Sequence, residues 1–228
     1  MQQPKEKTTI VDWLSHAIHG LRFVLWGIII AAAVLTVGWF AWSEVNKRVA
    51  DKATRGAEAA QEAFDKWQNE SDAEKKKTAE KDLGDQLSAL ISKYPRQYGG
   101  QRALYMRAEV AFAKKAWDEA GKDYLELARA FPRSYLALVC LFNAAVSAEE
   151  KGDGDGALKA YGRVLSERSD SAFASRALFS IGRIQESKNA PEEAKKAYDR
   201  LANEYPDSGW TNYAKNRIIE LKVAGKIK

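Results

Sequence analysis

The sequence predicts an all-α chain: a single N-terminal transmembrane helix followed by an α-solenoid of stacked helix pairs. Three observations predict it. Twenty uncharged residues run from Phe23 to Trp42, a motif recurs every 37 residues in the second half, and alternating β-branched runs are almost absent.

Composition narrows the function before any element is placed. The 228 residues are 46% hydrophobic and 29% charged, enough for a packed core and unlike a disordered or collagenous chain. A single cysteine, Cys140, excludes an intrachain disulfide and a cysteine-based zinc cage. The two histidines, His16 and His19, leave no histidine for a catalytic centre further along. No enzyme, cofactor or metal is expected from this inventory. The net charge of +5 is too small a bias to name nucleic acid as a partner.

Residues 1–22 read as a short tail carrying Lys5, Lys7 and Arg22. Residues 23–42 read as the membrane helix, because at about 1.5 Å per residue this run matches the bilayer core. Trp26 near its start and Trp39, Phe40 and Trp42 at its end stand where interfacial aromatic belts stand. Two other readings compete. A buried core helix rarely stays apolar on every face for this length. A cleaved signal peptide would use Ala41 and Ser43, but its apolar region is ordinarily about 7–15 residues. An uncleaved anchor in the lipid bilayer is therefore expected. Positive charge does not orient it: Lys5, Lys7 and Arg22 on one side face Lys47, Arg48, Lys52 and Arg55 on the other.

Residues 43–82 are expected to form a helical linker with a charged loop. Ala57, Ala60, Phe64 and Trp67 fall at helical spacing, so 44–69 either continues the membrane helix or forms a separate amphipathic one. In 71–82 the basic Lys75, Lys76 and Lys77 are offset by Glu74, Glu80 and Asp82, which predicts a solvated loop and helix start.

Residues 83–223 hold the repeat. Pro95, Pro132, Ser169 and Pro206 lie 37 apart, and the same step aligns Ala120, Ala157 and Ala194, then Tyr124, Tyr161 and Tyr198. Leu104, Leu141 and Leu178 keep the period, as do Ala108, Ala145 and Gly182. The pattern predicts helix pairs at 101–115 with 117–130, 135–151 with 155–168, and 172–188 with 191–204. Small residues on facing helices let the backbones approach, and the aligned tyrosines fill the space beyond. One pair cannot bury its apolar face alone, so pairs stack. Leu83, Leu87, Leu90 and Ile91 fit the second helix of an incomplete earlier unit, 208–223 reads as a closing helix, and 224–228 as a tail.

The segments AEVAFAKKAWDEAGKDYLELARAFP and IGRIQESKNAPEEAKKAYDRLANEYP resemble the tetratricopeptide repeat. The ordinary unit has about 34 residues; here three more follow the Pro, as in periplasmic tetratricopeptide proteins of bacterial envelopes. The departures are Arg107 where a large aliphatic is usual, and Arg168-Ser169 in place of aromatic-Pro. The layout of tail, anchor, alanine-rich helix and repeats is similar to the ancillary-subunit family of the bacterial Sec translocon. That resemblance implies a single-pass protein of the inner membrane, with its repeats in the periplasm and translocon or chaperone components as partners. The alternative is an accessory subunit that braces a larger membrane complex without binding free peptide.

In tetratricopeptide solenoids the first helices of the pairs line the concave side. The resemblance therefore implies a protein-binding groove of Tyr105, Phe142 and Phe179, with Glu109, Val146 and Arg183 one turn on and Arg102 and Arg176 three positions before. Aromatics beside arginine suit a protein interface; the competing expectation is that the three aromatics pack as core. Other features read plainly. Gly152-Asp153-Gly154-Asp155-Gly156 lacks the strand and Lys-Ser/Thr of a phosphate loop and the Glu of a calcium loop, and suits a helix-helix turn. His16 and His19 lack a third ligand, Cys140 reads as a small buried hydrophobe, and Glu149 and Glu150 lie on an exposed-looking helix end.

Overall fold

A computed structural model describes the chain from Ile10 to Lys228, with side chains from Leu21 onward. Among these residues there are nine helices and no strand: α1 (Ile10–Asn69), α2 (Ala73–Lys93), α3 (Tyr98–Ala113), α4 (Trp117–Ala130), α5 (Tyr135–Lys151), α6 (Gly154–Glu167), α7 (Ala172–Ser187), α8 (Pro191–Glu204) and α9 (Gly209–Val223). They fall into two compact units that divide between Lys52 and Ala53.

In the first unit α1 is uninterrupted through the apolar run, so no break separates a tail from an anchor at residue 22. Residues 1–9 and the side chains of His16 and His19 lie outside the described residues. Every side chain from Phe23 to Trp42 is exposed. Within the run, the Thr36 hydroxyl donates to the Ala32 carbonyl at 2.7 Å, so this polar group needs no water. Trp39 and Trp42 meet in a tilted contact with centroids 5.3 Å apart, and Glu44 pairs with Arg48 one turn on.

The second unit begins earlier than the sequence suggests. Ala53, Ala57, Ala60 and Trp67, expected in a linker, are buried; Ala60 and Trp67 share a core cluster with Leu83 and Leu87 of α2 and Ala103 and Met106 of α3. The apolar face of α2 needs a cover, and the end of α1 supplies it as the first helix of a pair. The charged stretch is also mostly helix: only 70–72 breaks the chain, and the Asp72 carboxylate accepts from the Glu74 and Lys75 amides to cap α2.

Two turns alternate through the repeats, each with one geometry. Between pairs, Tyr94, Phe131, Arg168 and Tyr205 end their helices with φ between −128° and −151° and ψ between 51° and 66°. Proline after the first, second and fourth excludes the α region there. Arg168-Ser169 reaches the same conformation without proline, held by the Ser171 amide on the Arg168 carbonyl at 3.1 Å. Within pairs, Lys115, Gly152 and Asn189, 37 residues apart, take φ of 61°, 85° and 57°. The next amide in each returns five residues to a helix carbonyl at 2.9 Å, which satisfies the helix end. Gly152 is thus a left-handed helix stop, as a turn requires. The same device recurs at Gly225, and it tucks Ile227 to 7% exposure, so 224–228 is no loose tail.

Tyr124, Tyr161 and Tyr198 are the largest fully buried side chains. Gly182 stands where Ala108 and Ala145 stand, and even a methyl there would collide with the Tyr198 ring. The Arg107 departure is answered across the pair: its guanidinium donates to both oxygens of buried Asp123 at 2.7 and 2.8 Å. The same register elsewhere holds Ala144 with Ala160 and Ile181 with Ala197. Asp123→Ala is expected to cost about 1–3 kcal/mol by stranding Arg107. Arg107→Leu with Asp123→Ala should recover most of it, because a buried ion pair adds little over an apolar pair. Urea unfolding of both variants checks this, and equal loss in the two overturns it.

Candidate protein-binding face

In the repeat unit consecutive first helices touch (α3 with α5, α5 with α7, α7 with α9), whereas α4 and α6, or α6 and α8, do not. A stack whose first helices lie closer than its second helices curves toward the first, so α3, α5, α7 and α9 line the inner side.

That side carries two groups of predicted residues. Arg102, Tyr105 and Glu109 come together around a cavity of about 240 Å³ between the end of α1, α3 and α5. Arg102 donates to Gln61 Oε1 at 2.6 Å. Tyr105 is half-buried with its ring 6.1 Å from Tyr124, and Glu109 accepts from the Tyr124 hydroxyl at 2.5 Å. The second group, Arg176 and Phe179, sits on α7 and meets α9. The Arg176 guanidinium lies 4.8 Å from the Phe142 ring centroid and 5.7 Å from that of Trp210. Phe179 meets Trp210 at 5.2 Å and Tyr213 at 6.2 Å, and Tyr213 is 60% exposed.

The family model of the tetratricopeptide repeat-like domain matches residues 21–225. The chain belongs to that family. No curated protein matches the sequence. As a tetratricopeptide repeat-like protein it carries the architecture of a scaffold for protein–protein interaction, a class that is typically non-catalytic.

Three expected groove residues are placed otherwise. Phe142 is only 2% exposed, packed on Tyr161 at 5.3 Å and Phe173 at 5.1 Å, so it is core: Phe173 of the next pair closes over it. Val146 is half-buried against the same core. Arg183 is exposed but bound to Glu149 of the preceding pair. Sequence reasoning missed Gln61, Tyr98, Tyr135, Trp210 and Tyr213. Period offered a signal for two sets: Tyr98 and Tyr135 lie 37 apart with hydroxyls 3.3 Å from each other, and Tyr213 shares the register of Arg102 and Arg176.

The carboxylates near the tyrosines are structural. Tyr161 donates to Glu149 at 3.0 Å and Tyr198 to Glu186 at 2.6 Å; Arg183 and Arg217 of the following helices close the two sets. Glu149 is thus not an exposed helix end, its side chain being 19% exposed. Burial pushes the Glu186 carboxyl up, but Arg217 and Tyr198 outweigh it and hold it below the usual carboxylate range. Its contribution to stability is therefore present above the ordinary carboxylate pKa and is lost as pH falls through the lowered one. A carboxylate so held is a poor general base. Cys140 is buried, and burial pushes its thiol up to about 12, so it is no ready nucleophile. Among the described residues no three His, Cys, Asp or Glu converge to hold a metal.

Proposed function

We propose that this protein is a membrane-anchored tetratricopeptide scaffold of the bacterial inner membrane. Residues 23–42 cross the bilayer, and the repeats stand in the periplasm and bind another protein, ancillary to the Sec translocon and its chaperones. The observation that carries the reading is a helix apolar enough to cross a membrane, with a mean hydropathy of 2.3 and none of that window buried, on the same chain as an inner face of aromatics and arginines. So long an exposed apolar surface is unsustainable in water and suits lipid. The layout likeness to the translocon ancillary subunits supports the periplasmic side.

Protease added to spheroplasts is expected to digest the repeat domain; survival of that domain until the membrane is lysed overturns the orientation. Full-length chain, purified from gently solubilised membranes, is expected to carry translocon or chaperone components with it. Arg102→Glu with Arg176→Glu should reduce that co-purification about tenfold, and because Arg102 holds Gln61 and Arg176 covers Phe142, the urea midpoint is measured alongside to show that the variant still folds. Unchanged co-purification would favour the bracing-subunit alternative, in which the inner face binds no partner.

A further inference from the structure

A second concave feature lies away from the inner face. Between α4 and α6, floored by α5, is a cleft of about 410 Å³. Its origin is legible by stepping 37 residues to the next junction. There Leu158 of α6 and Ile184 of α7 fill the corresponding space, Ile184 buried and Leu158 partly so. Here the same register positions are Gly121 and Ser147, and Gly156 and Ala160 add no bulk on the far wall. Trp117 does not close the opening, because its ring packs edge-on against Phe112 of its own pair at 4.9 Å.

The rim is cationic in a particular way. Two carboxylates line it and both are engaged: Asp118 takes Lys151 at 2.6 Å, and Asp153 caps the Gly156 amide at 2.8 Å. Lys122 and Lys159, which are register equivalents on α4 and α6, line the cleft with no ion pair or hydrogen bond among the described residues. The cleft therefore offers an apolar floor between two uncommitted ammonium groups, each on a rigid helix. The volume falls within the range of ordinary ligand sites.

We infer that this cleft docks a short acidic protein segment, a large aliphatic residue entering the space that Leu158 and Ile184 fill at the next junction, with flanking carboxylates on Lys122 and Lys159. Charge complementarity selects the occupant: a neutral apolar segment would leave both ammonium groups unanswered, and a basic one would be repelled.

The test uses the full chain in an uncharged maltoside detergent and a short fluorescein-labelled peptide with a central Leu flanked by Glu on both sides, read by anisotropy. Binding should weaken with added salt, and the peptide with Gln for Glu should bind at least about tenfold more weakly. Lys122→Glu with Lys159→Glu should lower affinity by a similar factor. Gly121→Leu should abolish binding by filling the floor; a Cβ there meets only Ser147 Cβ at 3.6 Å, an ordinary contact, so the fold should accept it. Thermal melts report the folding of each variant, and if Gly121→Leu melts early the lysine pair decides alone. Equal binding of the Glu and Gln peptides, undiminished binding by the folded variants, or no binding by the wild-type chain overturns the inference. So does capture of laurate in place of the peptide, which would make the cleft a site for an anionic lipid.

Discussion

Phe142→Ala is expected to destabilise the repeat unit by about 3–5 kcal/mol, the cost of emptying a packed aromatic site. The ring is sealed by Tyr161 from its own pair, Phe173 from the next and the Arg176 guanidinium above, so three neighbours lose their contact at once. Neither ring nor guanidinium collapses readily into the space, which keeps the cavity open and the cost high. Urea unfolding followed by circular dichroism measures it. An unchanged midpoint would return Phe142 to the binding surface. Tyr105 and Phe179 have the same register but stand half-buried, so their alanine variants should lose less.

The second large effect belongs to Tyr161. Tyr161→Ala should cost about 3–5 kcal/mol, because the ring fills the space between α5 and α6 beside Ala145 and Ala157. Tyr161→Phe separates packing from hydrogen bonding. It keeps the ring and removes only the donor to Glu149, which retains Arg183 and some water contact, so about 1 kcal/mol is expected. The two variants measured side by side decide: a Phe variant as damaged as the Ala variant would mean that the hydroxyl network, and not the ring, holds this junction.

Because the step of 37 is a property of the chain alone, the helix pairs were readable to within three residues at their ends, and the burial of Tyr124, Tyr161 and Tyr198 followed from their common register. The left-handed residue inside each pair was half visible. Gly152 and Asn189 are types that favour it, whereas Lys115 carries no such mark and is recognised only because its neighbours in register do. The binding residues were legible as a helix face but not as a surface. Arg102, Tyr105 and Glu109 do gather at one cavity, yet Phe142, one repeat on from Tyr105, is closed off.

What the sequence by itself determined is the local and periodic part: an apolar helix at 23–42, helix pairs beyond it, and the turns between them, because hydrophobic spacing, proline and small residues act within one or two turns of chain. Tertiary structure alone decided three further matters. Residues 53–69 became the cover of α2 and not a linker, Arg107 found its carboxylate at Asp123 of the facing helix, and Phe142 went under Phe173 while Tyr105, with Leu136 at the register position of Phe173, stayed half open. Each depends on what a neighbouring helix brings opposite a side chain, and burial is set by that neighbour's size and charge as much as by the residue itself.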